Sequence, residues 1–276
     1  MHTAGALVER ALGHPVREVS CSHQFVFTDE LTYIKVPRPG GTYQHAVDRE
    51  ARAWARTRPG RSRTLTLGDG RRALVTDNAG RHPTRLSVDL APALAHAIGD
   101  LHRQPTDEWV ELPTPGVDAL RLRARERLDV LGADSGHLAR GWFTALLVGL
   151  DEPAPGPHVV SHGDLNMMNF VLAPDDTVTL IDLEKMRLAP PEWDLACVAM
   201  TATFDRASVD LWPAVRDLIG PLDPDRFTWY LRQQVAGSLV WAAWQMSMGN
   251  TAARDSVARR LPLAARLLTD PRTLQD

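Results

Sequence analysis

Three residues constrain this chain more than anything else in it: an aspartate, an asparagine five positions on, and a second aspartate thirteen further, at Asp164, Asn169 and Asp182. The first two lie in Ser161-His162-Gly163-Asp164-Leu165-Asn166-Met167-Met168-Asn169, and the third in Ile181-Asp182-Leu183-Glu184. Phosphoryl transfer from a nucleotide needs a carboxylate that orients an acceptor hydroxyl and helps deprotonate it. It also needs an amide oxygen and another carboxylate to hold the Mg²⁺ that neutralises the phosphates. The flanking residues fit a structure that would assemble this set. Val159-Val160 is a short apolar lead-in, the residues around Asp164 read as a loop, and residues 169–172 begin a strand. Ala173-Pro174-Asp175-Asp176 carries turn chemistry, and residues 178–181 return as a second strand. Such a hairpin brings Asn169 and Asp182 to one end, where a single metal can bridge them.

The spelling His-Gly-Asp-Leu-x-x-x-Asn followed by Ile-Asp-x-Glu resembles the catalytic and metal-binding segments of the aminoglycoside phosphotransferase and choline kinase superfamily. Its members share the protein-kinase-like two-lobed fold. The resemblance implies that Asp164 is the catalytic base, that Asn169 and Asp182 are the magnesium ligands, and that His162 is a structural member of the loop. Glu184 matches the family's acidic position two residues after the metal aspartate. Pro191-Glu192-Trp193-Asp194-Leu195-Ala196 stands where the family carries Pro-x-x-Asp-Leu-Ala. By that match Asp194 opens a helix and braces the catalytic loop through its backbone amides, in an N-cap-like role.

The front of the chain tests this independently, because a kinase-like lobe needs a strand lysine for the nucleotide phosphates and a helix glutamate to hold it. Thr32-Tyr33-Ile34-Lys35-Val36-Pro37 is a β-rich run containing Lys35. Lys35 and Lys185 are the only lysines among 31 basic residues. Keeping Lys inside an apolar strand of so Arg-rich a chain marks a place for a compact ammonium. Residues 44–54 read as a helix with Ala46, Glu50, Ala53 and Trp54 on one face, and Glu50 is the expected partner of Lys35. The segment 19–27 lies where the family has its phosphate-covering hairpin. It has no glycine, and Ser20, Cys21 and Ser22 stand there instead, with Ser22 expected at the phosphates. Residues 74–80 resemble the segment joining the lobes. That match puts Val75 behind the adenine and the Thr76 carbonyl and Asn78 amide at its edge. Either ATP or GTP satisfies these positions.

The expected fold is therefore α+β and protein-kinase-like: a small mixed β/α N-lobe over 1–77 and a larger, mainly helical C-lobe over 78–276 carrying the catalytic loop, metal site and acceptor-binding helices. A second small-lobe hairpin is expected from Leu65-Thr66-Leu67, Gly68-Asp69-Gly70 and Ala73-Leu74-Val75. Residues 3–12 read as a short amphipathic helix. Ser87 would cap a helix with Leu90, Leu94, Ile98 and Leu101 on one side, and Leu138, Trp142, Leu146 and Leu150 mark another. A long last helix runs from near Asp225 to Met248 with Phe227, Leu231, Val235, Leu239 and Ala242 as its stripe. The arginines at 56, 58, 61, 63, 71 and 72 read as a solvated face, with an anion-attracting patch as the alternative.

A formal net charge of −3 offers no broad positive field for nucleic acid. Two cysteines, Cys21 and Cys197, give no disulfide framework and fit a reducing cytoplasm. No apolar run reaches membrane-spanning length, and the first residues lack a signal peptide's apolar core. The expected partner is a small hydroxylated acceptor. From Glu192 onward ten acidic residues face nine arginines, so no acidic bias marks a polycation pocket there. Trp193, Trp212, Trp229, Tyr230, Trp241 and Trp244 concentrate in that region instead. Rings of this kind bind the faces of sugars and bases, which favours a neutral hydroxylated antibiotic or a metabolic alcohol over a polyamine, although most of them read as core. The expected activity is Mg-dependent O-phosphorylation of an antibiotic, aminoglycoside-like or a nucleoside or other neutral type. A choline-kinase-type metabolic enzyme and a non-catalytic nucleotide-binding scaffold are the alternatives.

Overall fold

The computed structural model describes residues 3–20, 24–39, 42–84, 86–107, 109, 141–146, 153–204, 210–247, 249–250, 252–270 and 272–274. These residues form two compact units, Met1–Pro83 with Met168–Met186, and Thr84–Met167 with Arg187–Asp276.

In the first unit, α1 (Ala4–Leu12) is capped by Thr3, whose hydroxyl accepts from the Ala6 amide, and is closed by Gly13 in the left-handed region. Strands β1 (Arg17–Ser20), β2 (Gln24–Thr28), β3 (Thr32–Pro37), β4 (Ser62–Thr66) and β5 (Arg72–Asp77) form one antiparallel sheet in the order β1-β2-β3-β5-β4. The turn between β4 and β5 is closed by Gly70 N–H donating to the Leu67 carbonyl. Helix α2 (Thr42–Thr57) follows β3. Leu7 and Val8 of α1 join Phe27, Ile34, Val36, Leu67, Ala73 and Val75 in a shared core. The amphipathic reading of residues 3–12 thus matches the structure, and the apolar face of α1 packs into the core of the sheet.

The later part of this unit is the hairpin β7 (Phe170–Leu172) and β8 (Val178–Leu180), in register Phe170↔Leu180 through Leu172↔Val178. Ala173 and Thr177 close its turn, and Asp176 takes a positive φ of 61° there. Arg81 and Leu172 exchange both backbone hydrogen bonds. Gly80 is required beside them: its φ is 145°, and any Cβ would collide with the Leu172 carbonyl.

In the second unit, a 3₁₀ turn (Val88–Leu90) precedes α3 (Ala91–His102), where Leu94, Ile98 and Leu101 are buried as the stripe requires. Ser87 differs from expectation: it caps the 3₁₀ turn without a side-chain bond to the backbone. Residues 141–146 are helical, with Phe143 and Leu146 buried; Leu138 and Leu150 of that expected stripe lie outside the described residues. Strand β6 (Val159–Ser161) pairs with β9 (Arg187–Ala189). Helices α4 (Glu192–Phe204), α5 (Leu211–Ile219), α6 (Pro224–Ser247) and α7 (Ala252–Thr269) complete the unit. The expected stripe of α6 is buried throughout.

Candidate active site

Lys35 sits in β3 opposite Val26 of β2 and Leu74 of β5, so its backbone is fixed on both sides. Its Nζ donates to both Glu50 oxygens, at 2.7 and 2.9 Å, and to Asp182 Oδ1 at 2.7 Å. Glu50 comes from the buried face of α2, where its side chain is 1% exposed, and the Trp54 indole N–H one turn on also donates to it at 3.4 Å. Burial works against the Lys35 ammonium, but the Glu50 and Asp182 carboxylates outweigh it and hold its pKa above the ordinary lysine value. Burial pushes the Glu50 carboxyl up, and the neighbouring Asp182 and Glu184 charges push the same way against the pull of Lys35.

Asn169 and Asp182 flank the β7–β8 hairpin. The Ile181 amide donates to the Asn169 carbonyl at 2.9 Å, which puts the two ligand candidates at the same end of the ladder. Asp182 adopts the left-handed conformation (φ 62°, ψ 52°) as the chain turns into a 3₁₀ segment, Leu183–Lys185. Oxygen atoms of Glu50, Asp182 and Glu184 lie within 4.8 Å of one another. Three carboxylates and one ammonium leave net negative charge, and hard oxygen donors of this kind suit Mg²⁺. The donor set fits the metal.

Asp164 belongs to the second unit. Its loop leaves β6 through Gly163, whose φ of 80° only glycine adopts without strain. Asp194, fully buried in the first turn of α4, accepts from the His162 amide at 2.8 Å and the Gly163 amide at 3.0 Å. The Trp193 indole N–H donates to the Gly163 carbonyl at 3.1 Å, and Leu165 is wholly buried beyond. The loop is thus fixed on both sides of Asp164. The Asn166 amide side chain reaches back to Asp164 Oδ1 at 3.4 Å. Asp194 lies inside the helix rather than at its cap, and its bracing of the loop amides is as expected. His102 of α3 is the residue that sequence reading missed: its Nε2 lies 3.1 Å from Asp194 Oδ2. A His at a helix end carries no signal of a partner 92 residues away.

The remaining expected positions divide. Val75 is buried in β5 opposite Ile34, and Thr76 is in register with both Tyr33 and Ser62. The Asn78 amide, expected to meet a nucleobase edge, donates to the Leu31 carbonyl at 2.8 Å. Its side chain bonds the Glu30 carbonyl and the Gly80 amide, so Asn78 works as a turn residue here. Ser22, with Cys21, lies outside the described residues. Among the aromatics, Trp193, Trp212, Trp229 and Tyr230 are buried and pack on one another or on Phe227, while Trp241 is 38% exposed.

Residues 34–230 match the model of the APH family, the phosphotransferase enzyme family. The chain belongs to that family and is a phosphotransferase enzyme by membership. No curated protein matches the sequence closely enough to count as a relative. Among solved structures it is similar to the aminoglycoside phosphotransferase APH(3'')-Id from Streptomyces rimosus, at 23% identity over 83% of this chain and 95% of that one, with a TM-score of 0.59. It is also similar to a microcompartment-associated aminopropanol kinase, at 18% identity over 96% and 98% of the two chains and a TM-score of 0.65. A third likeness is to spectinomycin phosphotransferase APH(9)-Ia, solved with ADP and spectinomycin, at 10% identity over 97% of each chain and a TM-score of 0.61. These likenesses give the fold: it is α+β and kinase-like, as the resemblance implied.

Proposed function

We propose that the protein is a Mg²⁺-dependent O-phosphotransferase that moves the γ-phosphoryl group of ATP or GTP onto a hydroxyl of a small molecule, most specifically an antibiotic. The observation that carries this is Lys35 held by Glu50 and Asp182 together, at 2.7 Å to each. A lysine so gripped places a fixed positive charge beside the candidate metal ligand, where the nucleotide phosphates need one. Asn169 and Asp182 would hold the metal, with Glu184 beside them; bound there, Mg²⁺ supplies neutralisation of the phosphate charge. Asp164 orients the acceptor hydroxyl and receives its proton as the new O–P bond forms, while the bond to the β-phosphate oxygen breaks and the nucleoside diphosphate leaves. Positioning and charge stabilisation carry most of the rate, and base catalysis contributes roughly 10²–10⁴-fold.

Similarity to an aminoglycoside phosphotransferase and a spectinomycin phosphotransferase supports the antibiotic reading. The likeness to an aminopropanol kinase, at a TM-score of 0.65, supports a metabolic amino alcohol as the second reading. Mass spectrometry separates them: enzyme, Mg²⁺ and ATP or GTP are incubated with aminoglycosides, spectinomycin, nucleoside antibiotics, macrolides, choline and aminopropanol. One added phosphoryl group on one class identifies the acceptor. Asp164→Ala is expected to abolish that product and to leave nucleotide binding measurable by calorimetry. Unchanged turnover would remove Asp164 from the mechanism.

A further inference from the structure

Helix α2 does more than present Glu50. Arg58, the residue that follows the last turn of α2, donates from Nη1 to the Leu180 carbonyl at 2.8 Å, and its guanidinium lies 5.0 Å from the Trp54 ring centre. Arg49, next to Glu50, donates from Nε to the Glu184 carbonyl at 3.2 Å. These two carbonyls stand on either side of Asp182, two residues before it and two after. Between them Asp182 holds a left-handed backbone, a conformation that is uncommon for a residue other than glycine. A third restraint comes from β2, where the buried Gln24 donates to Glu184 Oε2 at 2.7 Å. The sequence reads Arg58 as part of a solvated face. Arg61 and Arg72 fit that reading, exposed and paired with nearby carboxylates at Asp77 and Asp48. Arg58 does not: burial lowers its pKa from the ordinary arginine value, and it lies on Trp54 and Leu180.

We infer that Arg58 and Arg49 are positioning residues that clamp the Leu180 and Glu184 carbonyls and so hold Asp182 in its left-handed turn with its carboxylate aimed as a metal ligand. Arginine suits this because its planar fork donates to a carbonyl while its face stacks on an indole. Each acts through the backbone on either side of Asp182. The inference rests on the reading of Asp182 as a metal ligand, and the test keeps the two apart.

The experiment is a Mn²⁺ titration of the full chain with saturating ADP, free Mn²⁺ being counted by electron paramagnetic resonance. Arg58→Met and Arg49→Met each keep an apolar stem and lose the donor. Outer contacts that orient metal ligands are worth ~10–100-fold in affinity, so each variant is expected to weaken Mn²⁺ about tenfold or more while its circular dichroism stays that of the parent. Arg52→Met, an exposed arginine of the same helix, should leave Mn²⁺ affinity unchanged. In turnover assays the two clamp variants should need more Mg²⁺ for half-maximal rate and should regain most of kcat when Mg²⁺ is saturating. Parent-like Mn²⁺ affinity in folded variants overturns the clamp alone. Absence of Mn²⁺ binding by the parent chain overturns the metal reading of Asp182, and the clamp with it. If Arg58→Met does not fold, Arg49→Met carries the same expectation. Loss of fold in both makes the arginines fold-holding residues and overturns the positioning role.

Discussion

Asp194 shows how much a single carboxylate can hold. It is fully buried, and three donors converge on it: the His162 and Gly163 amides and the His102 ring. Burial alone would raise its pKa; the hydrogen bond and charge of His102, with the His162 contributions, outweigh burial and keep it below the usual carboxylate range. Asp194→Ala would strand two buried loop amides at about 1–3 kcal/mol each and would release the backbone immediately before Asp164. The expected outcome is a lower urea midpoint together with a fall in kcat that exceeds any change in nucleotide affinity. Urea unfolding and steady-state kinetics on the same preparation check both. The residue pattern around Asp164 made the loop readable in the sequence, because an aspartate, an asparagine and a second aspartate at that spacing leave few other roles. His102 was not readable, since nothing local distinguishes it from His96, exposed on the same helix.

At the scale of elements, helical and strand periodicity placed β3, α2, the β7–β8 hairpin, α3 and α6 close to where they stand. Their apolar residues repeat at the spacing that buries one face. Helix α7 was not foreseen, and α4 was expected only as the helix that Asp194 opens, without its extent. Every residue from Trp193 to Met200 of α4 is buried, so it has no polar face to set a period, and α7 carries Pro262 in its interior, a residue that normally reads as a break. The stripe of α6 predicts its own cost. Leu231 is wholly buried there, and Leu231→Ala should destabilise by about 2–5 kcal/mol, depending on how far the cavity collapses. Chemical denaturation read by tryptophan fluorescence measures it, and a loss under 1 kcal/mol would place Leu231 outside the core of that unit.

For the molecule as a whole, the depressed carboxylates set the response to acid. Asp29 is held at about 2 because hydrogen bonds from His14 and from Thr32 outweigh its burial. Asp194 is lowered too, and Asp69 is held down first by its bond from Arg71. Each binds a proton less readily folded than unfolded. Their stabilisation is therefore present above the ordinary aspartate value near pH ~4 and is lost as pH falls toward the folded values. Thermal midpoints are expected to drop steadily between pH ~4 and ~2. A midpoint that holds across that window would mean that these carboxylates carry no folding linkage.

The sequence by itself determined the class of chemistry and pointed to its candidate carriers. Asp164, Asn169, Asp182, Lys35 and Glu50 are recognisable because phosphoryl transfer needs those side-chain types at set distances along a loop, a hairpin, a strand and a helix. Local backbone rules translate such distances directly into spacing. Only the tertiary structure decided what holds those residues in place. His102 reaches Asp194 across 92 residues, and Arg58 reaches the Leu180 carbonyl across 122. It also decided that the Asn78 amide is taken by Leu31. The physical reason is shared. Main-chain carbonyls and amides are the same at every position, so a contact to one leaves no mark in the residue types, and it is fixed only when packing brings the two segments together.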